Sequence, residues 1–553
     1  MDTTRFILIV ALSLVILLLW EAWQRDYGQP PVAEERKPET AADAQPVDVP
    51  RLSPDEADTP VPTKTEPGRN GEKLITVNTD VFRLQIDRQG GSIVHAELLH
   101  YPVSLDKPDE PVSLLDTSPQ KTHIVQGGLL GDMEVPTHTS RFTSTADEYS
   151  LLPGQDALEV ALDWAEPGPI SVRKIYRLRK GSYLIDVRHE LSNKGNGPWS
   201  GMAYGQLQRT GVYQGLARTV YTYTGAVISS VEKRYEKIAF DDIREKKLDR
   251  KITDGWAAMI EHYFLSAIIP GNSAEDYHYY TLYLDQGSSA QGSERFVIGA
   301  TTPPQSVAPG ARAVFDYRFY LGPKLQDELK TIAPGLDLTV DYGALWFIAK
   351  PLFWCLKKFH AIAGNWGWAI VLVTLMLKIL FYHLSAAGYR SMANMRRIQP
   401  RLLALRDRYK NDRARLNQAM MEIYKQEKIN PLGGCFPILI QIPVFIALYW
   451  VLLESVELRQ AEFIGWINDL SGPDPYFVLP VVMGITMFVQ QKLNPAPMDP
   501  VQEKVMMTLP VVFTVFFAFF PSGLVLYWVV NNILSIAQQW LIMRNLERAG
   551  LKT

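Results

Sequence analysis

The stretch Trp366–Leu384 constrains this chain more than any other. It opens on Trp-Gly-Trp, continues through the mostly apolar run Ala369–Leu377, places a lysine at 378, and resumes with Ile379-Leu380-Phe381-Tyr382-His383-Leu384. About 20 apolar residues cross a bilayer as a helix, so the segment reads as a membrane span. A lysine near its middle costs roughly 2.5–3.5 kcal/mol on insertion scales and has to face protein or water. Thr374 lies one helical turn earlier on the same face. Lys378 is then either a snorkelling or bundle-paired lysine, or a functional cation, and the rest of the chain has to decide.

Charge is unevenly divided. From Asp341 onward 21 Lys and Arg face 13 Asp and Glu, a balance of +8; the 553 residues together carry −3, so residues 1–340 carry −11. A basic, apolar C-terminal part behind an acidic N-terminal part puts the two in different compartments and argues against nucleic acid as a specific ligand. The two cysteines, Cys355 and Cys435, fall on opposite sides of the membrane in the topology below. A disulfide between them is not expected, and both read as structural.

Residues 1–25 hold the apolar run Phe6–Trp20, with Arg5 before it and no small-x-small cleavage site after it, and read as an uncleaved signal anchor with a cytoplasmic N-terminus. Residues 26–72 are rich in Pro, Glu, Asp, Ala and Thr and read as a disordered linker. Over 73–324 the texture is period-two alternation broken by turns, as in Phe82-Arg-Leu-Gln-Ile, Ile170-Ser-Val-Arg-Lys-Ile-Tyr-Arg-Leu and Ala313-Val-Phe-Asp-Tyr-Arg-Phe-Tyr. That pattern predicts a large antiparallel β-sandwich. His95, His100, His123, His138 and His189 lack metal-ligand spacing and read as ordinary surface or strand histidines. No nucleophile elbow, phosphate loop or HExxH motif is present, so neither a catalytic residue, a metal nor a cofactor is expected.

Residues 325–361 comprise a short helix and then an amphipathic one, with Leu345, Ile348, Leu352, Cys355, Leu356 and Phe359 on one side and Trp346 and Trp354 as anchors. It reads as a helix in the headgroup region, kinked at Pro351, or else as a plain packing helix. The span 362–384 leads into residues 385–430, the most basic part of the chain. Pro400 and the Lys410-Asn411-Asp412 turn should divide this part into a helical hairpin, cytoplasmic by the positive-inside rule. Further spans follow at 431–454, 476–490, 505–520 and 523–543, joined by an acidic outer loop at 455–475 and an inner loop at 491–504. The apolar run Val505–Ile542 is too long for one crossing, and Pro521-Ser522-Gly523 breaks it. Six crossings bring the tail 544–553 back to the cytoplasm. The expected fold is therefore a multi-domain membrane protein: an outer β-sandwich plus an α-helical bundle of one anchor and five core spans.

Tyr527, Asn531, Ser535 and Gln538 form a polar stripe at helical spacing, with Trp528 and Asn532 beside them. With Lys378, Thr374 and Gln441 they are expected to line a wet, positively charged notch, since polar groups in a bilayer must face one another or water. Apolar segments would slide past Phe445, Leu448, Met506, Met507 and the phenylalanines of the fifth span. Ser385 is seven residues from Lys378, about 10 Å along a helix, too far for a Ser/Lys dyad. A transporter of a small anionic solute is the alternative, but no inverted repeat is visible. An enzyme acting on lipid or glycan would need an acid/base pair that no motif offers.

Several motifs carry a resemblance: Leu338-Thr-Val-Asp-Tyr-Gly343, Gly364-Asn-Trp-Gly367, Asn430-Pro-Leu-Gly-Gly-Cys-Phe-Pro437, Ser455-Val-Glu-Leu-Arg-Gln-Ala461, Asp474-Pro-Tyr476, Phe520-Pro-Ser-Gly-Leu-Val-Leu-Tyr527, and in the sandwich Trp256–Phe264 and Phe319–Lys324. On these the chain resembles, over its full length, the YidC family of bacterial inner-membrane protein insertases, in its Gram-negative form with a large periplasmic domain. The resemblance implies an insertase and chaperone, acting alone or with the Sec translocon on nascent integral membrane proteins. It also implies a groove open to cytoplasm and lipid but closed to the periplasm. Lys378 stands where the family commonly has Arg, keeping the charge but losing the bidentate fork. Thr374 matches a substrate-contacting position, and Tyr527 with Trp528 an aromatic pair. The basic hairpin, with Arg396, Arg397, Arg406 and Arg408, would capture substrates, and ribosome or signal-recognition machinery and membrane lipid are implied as further partners.

Overall fold

The computed structural model describes residues 74–548 except 167, 212–221, 286–293, 410–411, 428–435 and 495–499. The expected anchor, the whole of the linker expected after it, Cys435, Lys410-Asn411 and the last five residues of the tail lie outside the described residues.

Strands from Ile75 to Pro323 build two sheets, one of eleven strands and one of nine. The alternating segments form strands because one face of each is apolar: Phe82–Asp87 buries Phe82, Leu84 and Ile86 and exposes Arg83. Ile170–Arg179 alternates along its whole length, so a one-residue slip would turn Tyr176 and Leu178 out of the core. Leu184–Asn193 pairs antiparallel with it on one side and with Arg312–Pro323 on the other. Trp256–Ile260 and Phe264–Pro270 are buried at every position, as continuous apolar strands covered on both faces should be. One pairing departs from the antiparallel expectation: Ile75–Asn78 runs parallel to Glu148–Ser150, which a distant segment, unconstrained by a tight hairpin, can do.

Several polar groups inside the sandwich are satisfied locally. Lys174 is fully buried and donates to the carbonyls of Gly90 (3.1 Å), Gly91 (3.0 Å) and Gly127 (2.9 Å), three acceptors that offset the desolvated ammonium. His123, His138 and His189 are buried strand or loop histidines rather than surface ones. His138 Nδ1 lies 2.6 Å from the Tyr204 hydroxyl and His189 Nε2 3.1 Å from that of Tyr317. Among the described residues no three His, Cys, Asp or Glu side chains gather as a metal site.

Ten α-helices are described. Two short ones, α1 (Phe240–Glu245) and α2 (Gln326–Ile332), belong to the sandwich region. The rest are α3 (Trp346–Ala363), α4 (Trp366–Leu380), α5 (Tyr382–Arg408), α6 (Arg413–Gln426), α7 (Phe436–Glu454), α8 (Val478–Leu493), α9 (Pro500–Phe517) and α10 (Ser522–Arg548). On α3 the expected apolar side packs against the helical core, with Leu352 and Leu356 buried, while Trp346, Phe347, Trp354 and Ile362 are exposed. Pro351 lies within it.

Two boundaries differ from expectation. The segment 362–384 is not one straight helix: α4 ends at Leu380, and α5 leaves it at 67°. Pro400 does not divide the basic hairpin; it sits inside α5, since a proline removes one internal hydrogen bond and an exposed helix can replace that bond with water. Among the described residues no single helix is long and apolar enough to cross a membrane; the bent pair α4–α5 passes that test together, and Ile440–Glu454 and Val478–Leu493 are shorter apolar helices.

A buried junction ties the sandwich to the end of α7 and the loop after it. His262 Nε2 meets the Leu453 carbonyl at 2.8 Å, the Tyr342 hydroxyl lies 3.2 Å from Ser455 Oγ, and Arg459 Nη2 donates to the carbonyls of Pro102 (2.7 Å) and Val103 (3.2 Å). Lys324 and Glu454, both almost fully buried, stand 3.9 Å apart.

Candidate groove in the helical bundle

One end of the bundle is closed by the loop between α7 and α8. Asp474 is buried and caps α8: its carboxylate accepts from Leu479 N (2.7 Å), Tyr476 N (3.0 Å) and Trp466 Nε1 (3.0 Å). Ser522 Oγ donates to the Asp469 carbonyl at 2.7 Å, and Gly523 N to that of Leu470 at 2.9 Å, which pins the start of α10 beneath the loop. At the start of α4, Asn365 accepts from Trp368 N and donates to the carbonyls of Glu462 and Phe463. Gly367 is needed there because the Phe463 ring lies 2.0 Å from where a Cβ would be.

Away from that closed end, α4, α5, α7, α8, α9 and α10 surround a cavity of about 270 Å³. Lys378, Gln441, Tyr527, Trp528 and Asn531 all line it, together with Asn532 and Ser535. Its only charged lining residue among those described is Lys378. The ammonium donates to Ser535 Oγ at 2.6 Å, and Ser535 Oγ in turn donates to the Asn531 carbonyl at 2.7 Å. Gln441 Nε2 is hydrogen-bonded to Asn531 Oδ1. The polar stripe of α10 therefore serves largely as a set of ties. Asn532 reaches Thr486 Oγ1 of α8 (3.1 Å), Gln538 the Tyr382 carbonyl at the start of α5 (3.3 Å), and Gln539 the Leu493 carbonyl (3.2 Å). Each tie satisfies an amide that would otherwise be costly in an apolar bundle.

An aromatic wall faces these amides. The Phe445 ring meets Trp528 edge-on at 4.6 Å, and Trp528 lies 5.4 Å from Phe517. Of the residues expected to form a sliding surface, Leu448 and Phe517 are instead buried in the helical core, because α7 turns Leu448 toward its neighbours. Met506, Met507 and Phe516 of α9, and Phe519 just after it, are exposed.

Thr374 departs from expectation. It shares a stripe with Lys378 but sits one turn nearer the closed end, where the core is packed; it is 1% exposed, and its hydroxyl donates back to the Ile370 carbonyl at 2.7 Å. It does not line the cavity. Arg396, Arg397, Arg406 and Arg408 lie further along α5, also away from the cavity. Arg397 and Arg401 pair with Glu427 at 2.9 Å each, and Arg408 stands over the Tyr409 ring. They form a surface rather than part of the pocket.

Several lining residues escaped sequence reasoning: Tyr389 and Met392 of α5, and Met487, Gln490, Gln491 and Asn494 around α8. The last group had a legible signal, since positions 487, 490, 491 and 494 follow helical spacing and turn polar at the end of an apolar helix. Ser385 reaches the cavity because the bend at Phe381 replaces the straight helix on which it would have been distant.

Comparison with known proteins agrees with this architecture. Residues 74–355 match the family described as YidC periplasmic domain, and residues 358–549 that described as 60Kd inner membrane protein. The membrane protein insertase YidC of Thioalkalivibrio sulfidiphilus is 49% identical over the whole of both chains. That of Methylococcus capsulatus is 51% identical over 99% of each. A solved structure described as an active YidC insertase with its first transmembrane domain resolved is 18% identical, with a TM-score of 0.38 over 85% of this chain and 92% of its own, too low to add weight. On its two matched regions and its full-length relatives, the chain belongs to the YidC family of membrane protein insertases.

Proposed function

We propose that this protein inserts nascent integral membrane proteins into a bacterial inner membrane, the sandwich lying in the periplasm and both termini in the cytoplasm. The observation that carries the reading is the cavity, in which Lys378 is the sole charged lining residue among those described, flanked by amides on one side and aromatic and methionine side chains on the other. A polar or acidic stretch in transit meets there hydrogen-bonding groups and one cation, while apolar segments partition into lipid past Met506, Met507 and Phe516. One carboxylate about 4 Å from the ammonium would gain about 4 kcal/mol at an effective dielectric near 20. The loop mesh over Asp469 and Asp474 supports closure toward the periplasm. Arg396, Arg397, Arg406 and Arg408 form the basic surface that first receives the substrate, and the Sec translocon and the ribosome or signal-recognition machinery are its partners. Thr374 acts from within the core, through packing.

Purified protein in liposomes tests this. Insertion of a short single-span protein is the expected result, with site-specific crosslinks from Trp528 to the arrested chain. Flux of a small anion without insertion would refute it.

A further inference from the structure

We infer that Ser535 is a positioning residue for Lys378, an inference that rests on the groove reading above. A lysine ammonium is a compact point charge on a flexible four-carbon stem, and it lacks the planar fork by which an arginine fixes itself. Something else must hold it over the cavity, and the Ser535 hydroxyl is placed to do so. A serine oxygen has one proton to give and two lone pairs to accept with. Its proton is committed to the Asn531 carbonyl at 2.7 Å, one turn back on the same helix, so toward Lys378 Nζ at 2.6 Å it acts only as an acceptor. The ammonium is thereby drawn toward α10 and away from the lipid-facing side of α4, while its remaining protons stay available to a passing anion.

A second observation gives the same turn of α10 a wider role. Tyr389 of α5 lines the same cavity beside it. Lys378, from before the 67° break, is held by Ser535 in this turn. Gln538, nearly one turn further on, holds the Tyr382 carbonyl at the break itself. Charge position and helix bend are coupled through this one turn of α10.

The test uses the full chain in liposomes and two single-span substrates that differ only in an acidic or neutral translocated tail. With Ser535→Ala the ratio of acidic-tail to neutral-tail insertion should fall roughly fivefold, the fold-change of one net hydrogen bond. Ser535→Thr, which keeps the hydroxyl, should restore the ratio. In a Lys378→Ala background Ser535→Ala should lower the ratio no further. An unchanged ratio in Ser535→Ala, or an equal fall with and without Lys378, overturns the inference and leaves the groove reading standing. If Lys378→Ala itself leaves the ratio unchanged, the charge reading fails and this inference fails with it.

Discussion

Breaking the Lys324–Glu454 pair should be far more damaging than deleting it whole. Lys324 is 2% exposed and Glu454 3%, with Nζ and Oε2 3.9 Å apart. At that separation the attraction is about 4 kcal/mol at an effective dielectric near 20. Burial pulls the Lys324 ammonium down to about 8, a desolvation cost that the nearby Glu454 carboxylate offsets only in part. Lys324→Met or Glu454→Leu alone strands one buried charge, and such losses run to roughly 3–5 kcal/mol. For a unit the size of the sandwich each kcal/mol moves the midpoint by about 2–4 °C, so each single variant should melt roughly 10 °C lower. The double variant replaces the ion pair with apolar groups of similar volume and should recover most of that loss. Thermal unfolding of the detergent-solubilised protein, followed by near-ultraviolet circular dichroism, reads all four forms. Single variants indistinguishable from wild type, or a double variant as unstable as the sum of both, would show that the junction does not depend on this pair.

The same junction should respond to pH from both sides. Burial pulls the His262 imidazole from 6.5 down to about 4, so it is neutral in the fold. Its contribution is full above 6.5 and lost as pH falls toward 4, and His262→Gln should flatten the fall in melting temperature between about pH 7 and about pH 5. Burial pushes the Glu457 carboxyl from 4.5 up to about 7, and Oε2 has no hydrogen-bond partner among the described residues. Its contribution runs the other way, present below 4.5 and lost as pH rises through 7, so Glu457→Gln should raise the melting temperature at about pH 8; no change there would count against the assignment. Gly367→Ala places a methyl against the Phe463 ring and should cost about 1–3 kcal/mol, seen as a lower melting temperature and faster tryptic cleavage near the start of α4. A variant as stable as wild type would mean that the loop yields freely.

Much of this organisation was legible from periodicity alone. Alternation over Phe82–Asp87 and Ile170–Arg179 located strands, because a half-buried strand must repeat every two residues. The break near Pro521 followed from length, and a lysine amid apolar residues marked the cavity before any cavity was visible. Five of the six residues proposed for the groove share it. Thr374 was misplaced because helical spacing assigns a face but no depth: one turn along the same stripe separates a wet pocket from a packed core.

By itself the sequence determined the two kinds of architecture and the chemistry at the centre of the bundle, since period, length and the cost of a lone charge in lipid are properties of local composition. Tertiary structure alone decided who answers that charge. The bend at Phe381, the tie from Ser535 and the loop that closes the far end each depend on residues distant in the chain meeting in space. No local pattern encodes such a meeting, because it is settled only when the helices compete to satisfy one another's buried polar groups.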